Sequence, residues 1–216
     1  MKTLHEILKP YHTDKGLNGF GLIYESYFSP LRDKEINFLE IGVSLWRGAS
    51  LRVFKEHFTK ANVIGMDVNS IIGWDESNNF FLGDQTVPDH LDRIIKKFKN
   101  FDVIIDDGSH FQWDITFSLN YLFPYLNSGG VYIIEDICSK DNLEKGDDWW
   151  GGRRKDMDAA VDVVCYNYTK TEKWESSYLS DAENDYLTSN IEKIDYYPDS
   201  KGLNKSTSPL AIIIKK

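Results

Sequence analysis

The acidic residues that close two short apolar runs have the most chemistry to offer. The chain reads FDVIIDDGSH over 101–110 and YIIED over 132–136, so Asp106, Asp107, His110, Glu135 and Asp136 follow the stretches Val103–Ile105 and Val131–Ile134. Continuous β-branched runs of this length suit strands buried on both faces, as in a parallel sheet. Ligands of such sheets bind beyond the carboxyl ends of the strands, so the four carboxylates and the imidazole are expected to converge on one edge. Carboxylate oxygens are hard ligands that suit Mg²⁺ better than zinc. An imidazole, with an ordinary pKa of ~6.5, can take a proton from a reacting group at neutral pH. The same residues also suit helix capping, with Asp107 and Ser109 before one helix and Asp136 before another. Sequence alone leaves both readings open.

The positioning elements follow from the pattern around them. Trp113–Leu126 has the length and apolar spacing of a crossover helix, and Asn127-Ser128-Gly129-Gly130 supplies turn residues, which completes a βαβ unit. Upstream, INFLEIG over 36–42 is a first strand, followed by Gly48 and an amphipathic helix Ala49–Phe58 with Leu51, Phe54 and Phe58 on one face. A strand–Gly–helix turn lets backbone approach a nucleotide. Ser44, however, stands where G-x-G-x-x-G has its second glycine, which disfavours a pyrophosphate cofactor. Asn62–Asp67 is a second strand, and its terminal Asp67 can accept hydrogen bonds from both hydroxyls of a ribose or cap a helix. Phe80–Gln85 is a third, whose Asp84 or Gln85 can meet an adenine amine or merely make a turn. Pro88 opens a helix with Leu91, Ile94, Ile95 and Phe98 inward.

At the ends, residues 4–28 read as helix, loop, helix, with Thr13-Asp14-Lys15 in the loop as a cap with a solvated lysine. Tyr24 and Tyr27 fall at helical spacing and read as core. Met157, Val161, Val164, Cys165 and Tyr168 form a core stripe. Ile191–Tyr197 and Leu210–Ile214 read as a hairpin joined across Asp199-Ser200-Lys201-Gly202. Trp149-Trp150-Gly151-Gly152 either stacks on a substrate ring or packs its own loop down. Together these give a Rossmann-like α/β fold, a mostly parallel sheet with a C-terminal antiparallel hairpin and helices on both faces.

Composition narrows the partners. With 216 residues and 41% hydrophobic content, the chain suits one domain with a full core. A formal charge of −9 argues against nucleic acid, and Arg153-Arg154-Lys155, the one tight basic cluster, reads as a solvated loop or a nucleotide clamp. No apolar run approaches the roughly 20 residues of a membrane span. The start has no signal-peptide core, and Cys138 and Cys165 lack CxxC spacing, so a reducing cytoplasm is the expected compartment.

The segments HTDKG at 12–16, YESYFSPLR at 24–32, LEIGV at 39–43 and GDQ at 83–85 join FDVIIDDGSH, LFPYLNSGG at 122–130, YIIED and WWGG at 149–152. This set resembles the class I S-adenosylmethionine (SAM)-dependent methyltransferases. The closer resemblance is to metal-dependent sugar O-methyltransferases of the macrolide (mycinamicin and tylosin) type, with cephalosporin-hydroxylase-like relatives. It covers roughly residues 5–152, and DDGSH followed by IIED is its specific part. The resemblance implies one methyltransferase domain over 1–216, with a helical lid or extension at 1–35 and a variable acceptor-side segment at 137–190. It implies SAM contacts from Glu40, Gly42, Asp67, Asp84, Gln85 and Asp106, the last near the methionine moiety. It implies Mg²⁺ ligands in Asp107, Glu135 and Asp136, His110 as general base, and assembly into oligomers. Asp114 stands where relatives often have His. The implied reaction is methyl transfer to a sugar hydroxyl of a nucleotide sugar, glycan or glycosylated metabolite. A catechol-like diol acceptor or a non-catalytic nucleotide-binding module are the alternatives. An NAD-dependent dehydrogenase would need the regular glycine turn that is missing.

Overall fold

The computed structural model describes residues 2–11, 13–17, 19–43, 47–137, 161–198 and 209–216. Within them, β1 (Asn37–Ile41), β2 (Asn62–Asp67), β3 (Phe80–Leu82), β4 (Phe101–Asp106), β5 (Leu126–Ile134), β6 (Ile191–Tyr197) and β7 (Leu210–Lys215) form one sheet in the order β3-β2-β1-β4-β5-β7-β6. The first five strands are parallel, and β7 runs antiparallel between β5 and β6. The expected α/β sheet with a terminal antiparallel hairpin is therefore borne out. Strand order reverses between β1 and β4, and the crevice outside their carboxyl ends is where such sheets bind ligands.

Alternation along the strands sorts side chains to two cores. Phe38, Val103, Ile105, Val131 and Ile133 meet α1 (Leu4–Leu8), α3 (Phe20–Phe28) and α4 (Ala49–His57) on one face. Leu39, Ile41, Ile104, Tyr132 and Ile134 meet α5 (Pro88–Phe98), α6 (Gln112–Leu122), α7 (Val161–Thr171) and α8 (Asp181–Asn190) on the other. The N-terminal helices are fixed to the sheet by rings. Phe38 and Phe54 lie 4.4 Å apart by centroid and Phe28 and Phe58 lie 5.4 Å apart. Such pairs contribute about 0.5–1.5 kcal/mol each beyond their burial.

Several local expectations are corrected. Gly16 does not keep 14–17 a loop. Asp14–Leu17 forms a single helical turn, α2, whose Gly16 N–H donates to Thr13 Oγ1 at 3.3 Å. The crossover helix stops at Leu122 and a 3-10 turn follows over Phe123–Tyr125, because Pro124 cannot continue the hydrogen-bond ladder. Asn127–Gly130 is not a free turn but the bulged start of β5, with a register shift between Phe101 and Val103 and Gly129 at φ +73. Helix α8 was not anticipated, although Ser180 and Glu183 form a capping box at its start. Val161, Val164, Cys165 and Tyr168 are buried as expected. Met157, Cys138, Arg153–Lys155, the Trp149–Gly152 segment and the 199–202 connection lie outside the described residues.

One buried titratable group yields a stability prediction. His57 ends α4 fully buried, and burial together with the charge of Arg32 pushes its pKa down. The unfolded chain then binds more protons below its ordinary value of about 6.5, so stability is present above that pH and is lost as pH falls. Urea melts are expected to show the native chain losing more stability between pH 7.5 and pH 5 than His57→Phe, which lacks the titrating group.

Candidate active site

Adjacent strand residues point to opposite faces, and this splits the acidic cluster. Glu40, Asp107 and Glu135 turn toward the N-terminal helices, where they surround the buried Lys15 ammonium. Lys15 Nζ lies 3.1 Å from Glu40 Oε1, 2.6 Å from Asp107 Oδ2 and 3.1 Å from Glu135 Oε2. Lys15 is 2% exposed, so the expectation of a solvated lysine is wrong. The Tyr24 hydroxyl donates to Glu135 Oε1 at 2.7 Å, and burial and that carboxylate's charge hold the phenol well above its ordinary pKa. Tyr24 is core, as expected, but its hydroxyl also fixes a carboxylate of the site.

Asp106 points the other way, into the α6 core. Its carboxylate accepts from Gln85 Nε2 at 3.1 Å, from the Ser118 hydroxyl and from Tyr132 at 3.4 Å. Burial raises its pKa to about 6, against the pull of those donors. Gln85 Oε1 in turn accepts from Ser109 N at 2.9 Å. The polar atoms of Gln85 and Asp106 are thus used inside the protein, where they hold the Asp107–His110 turn against α6. Gly108 sits in the same knot, since a Cβ there would meet Gln85 Oε1 at 1.9 Å.

Asp107, His110 and Asp136 do converge. One ligand atom from each lies within 4.8 Å of the others, and all three are partly exposed. His110 Nε2 is 3.9 Å from Asp107 Oδ1. His110 (φ 61) and Asp136 (φ 50) both adopt left-handed backbone, which costs a non-glycine residue about 1–3 kcal/mol and gathers at functional sites. Asp136 Oδ1 is buried and receives no hydrogen bond among the described residues. Three close hard or borderline donors, one of them a buried oxygen lacking a donor, fit a divalent cation. The capping alternative fails for Asp107. The N-cap of α6 is Phe111, without a side-chain cap, and Phe111 N donates instead to Ser109 Oγ at 3.3 Å. Ser109 Oγ donates to Asp114 Oδ2 at 2.6 Å, so Asp114 braces this turn.

The remaining candidates lie along the same edge. Asp67, at the end of β2, accepts from Asn69 N at 2.8 Å. Asp84 accepts at Oδ1 from Thr86 N at 2.8 Å and Thr86 Oγ1 at 2.7 Å. Gly42 follows β1 at φ +85, and a Cβ there would meet the Asp107 carbonyl at 1.8 Å. Its first duty is therefore to let the ends of β1 and β4 approach each other. Ser44 lies outside the described residues.

The fold is similar to that of known enzymes. MycE, a methyltransferase of the mycinamycin pathway determined with Mg, S-adenosylhomocysteine and mycinamycin VI, superposes with a TM-score of 0.76. It shares 26% identity with this chain over 99% of it and 54% of MycE. The fold is that of the class I methyltransferases. Mycinamicin VI 2''-O-methyltransferase of Micromonospora griseorubida is 36% identical over 142 residues, 62% of this chain. Demethylmacrocin O-methyltransferase of Streptomyces fradiae is 34% identical over the same share. The chain spans 36% of each of these two relatives. No protein-family model matches.

Sequence reasoning missed Lys15 and the second duty of Tyr24. Both stand in segments that carry the resemblance, HTDKG and YESYFSPLR, yet neither segment says which carboxylates its residue will meet.

Proposed function

We propose that the chain is a SAM- and Mg²⁺-dependent O-methyltransferase acting on a sugar hydroxyl of a glycosylated small molecule, glycan or nucleotide sugar. The observation that carries this reading is the Asp107–His110–Asp136 cluster beyond the ends of β4 and β5, beside the β1/β4 switch point. The names of the relatives support the acceptor class: two act in macrolide pathways, and a third, 33% identical over 128 residues, is a rhamnosyl tetracenomycin-C 2'-O-methyltransferase of Streptomyces olivaceus.

In this reading Asp107 and Asp136 hold the metal, with Glu135 behind them, braced by Lys15 and Tyr24. When bound, Mg²⁺ supplies Lewis acidity that orients and acidifies an adjacent hydroxyl, and SAM supplies an electrophilic methyl group. The chain's own part is alignment and proton transfer. His110, beside the metal ligands and partly open to solvent, is placed to take the acceptor hydroxyl's proton on its imidazole. Glu40 and Gly42 shape the turn beneath the cofactor. Asp67 accepts from the ribose hydroxyls and Asp84 from the adenine amine, while Gln85 and Asp106 act from behind by fixing the Asp107–His110 turn. The chain is one methyltransferase domain in which residues 1–35 close over the site through Lys15 and Tyr24. Residues 137–190 choose the acceptor. Among the described residues no helix is long and apolar enough to cross a membrane.

Calorimetric titration with S-adenosylhomocysteine, with and without Mg²⁺ and with NAD as control, tests the reading. Binding of the homocysteine product but not NAD is the expected result. Absence of binding in the presence of metal would return the chain to a non-catalytic module.

A further inference from the structure

The acidic edge contains two carboxylate groupings, and they differ in what fills them. The outer one is the partly exposed Asp107–His110–Asp136 cluster. The inner one is Glu40, Asp107 and Glu135, whose side chains are 0%, 9% and 0% exposed. Three carboxylate oxygens at 2.6–3.1 Å from one point form a hard-oxygen pocket such as a divalent cation would take. Here an ammonium occupies it. Asp107 belongs to both groupings, with Oδ2 on Lys15 and Oδ1 toward His110.

We infer that Lys15 is a built-in cation of the site. It fills the inner pocket, holds Asp107 Oδ2 and so turns Oδ1 outward, which confines exchangeable divalent metal to the outer cluster. It is a positioning residue, and the inference rests on the methyltransferase reading only for its consequence in turnover. The charges are consistent with this division. Two buried carboxylates, the partly exposed Asp107 and one ammonium leave a deficit of two positive charges before Asp136 is counted, and buried charge without compensation is costly. Lysine suits the task better than arginine, because a compact ammonium can face three oxygens whereas a planar guanidinium pairs with one carboxylate fork. The lysine reaches the pocket because Thr13 starts α2 and the ring cluster beneath α3 fixes the N-terminal helices to the sheet. Those helices are thereby coupled to the metal site.

The test is Lys15→Ala in the full chain, which removes the charge and opens room for a hydrated ion. Thermal melts are recorded in chelator and in Mg²⁺, bound Mn²⁺ is counted by electron paramagnetic resonance, and turnover is measured. The expected variant melts well below the native chain in chelator, regains most of the difference in Mg²⁺, and binds two Mn²⁺ per chain where the native binds one. Its kcat falls by at least about tenfold, the scale seen when a group behind a metal ligand is lost. A Mn²⁺ count unchanged from native, or a variant that fails to fold even in excess Mg²⁺, would overturn the inference. A native chain that binds neither Mn²⁺ nor S-adenosylhomocysteine would instead overturn the methyltransferase reading. The metal dependence of the variant's melting would still be readable in that case.

Discussion

Asp136→Asn is expected to abolish methyl transfer and its response to Mg²⁺ together, with turnover down by at least about 100-fold. Asp136 Oδ1 is the one oxygen of the outer cluster that is both buried and without a hydrogen-bond donor among the described residues. An amide cannot replace the charge that a hard cation requires. Asn is nevertheless nearly isosteric and tolerates left-handed backbone about as well as Asp, so φ 50 should persist. The substitution also removes one negative charge from a crowded edge. The variant should therefore melt no lower than the native chain in chelator, while losing the rise in melting temperature that Mg²⁺ gives the native chain. That pairing separates loss of a ligand from loss of fold. Native activity that persists undiminished in chelator would remove the metal mechanism altogether.

The βαβ unit, the strand ends and the hairpin were legible because buried parallel strands are long apolar runs that stop abruptly, at Asp67, Asp106 and Ile134. What the runs could not convey was the partition of their acidic ends. Asp106 and Asp107 are neighbours in sequence, but the period of two sends one to Gln85, Ser118 and Tyr132 and the other to Lys15. Expecting all five groups on one edge treated the strand ends as a single surface. Alternation alone could have predicted that the two aspartates diverge. It could not have named Lys15, which lies 92 positions away and is brought in by helix packing. The glycine at 42 was legible as a turn residue, yet the atom it makes room for is a carbonyl of β4's end rather than a ligand. A single sequence reads local period well and long-range pairing poorly, and most of this site is long-range pairing.

His110→Asn is expected to leave S-adenosylhomocysteine and Mn²⁺ binding near native while lowering turnover by about 100- to 10,000-fold, the range for loss of a general base. Asn is the better choice over Ala because His110 sits at φ 61, where Asn is readily accommodated and Ala would add strain. It keeps a polar side chain of similar reach but cannot accept a proton at neutral pH. Binding and turnover then distinguish the two duties that the geometry permits. His110 lies near enough to Asp107 and Asp136 to serve as a third ligand, and a base beside those carboxylates would also face a hydroxyl held by the metal. Mg²⁺ favours oxygen and binds imidazole poorly, whereas Mn²⁺ accepts nitrogen more readily. As a ligand, His110 would make the Asn variant lose Mn²⁺ affinity in step with turnover. As the base, it would leave the metal bound and the methyl group untransferred. Weakened cofactor binding with normal turnover would exclude both roles and make His110 a part of the turn that Ser109 and Asp114 brace.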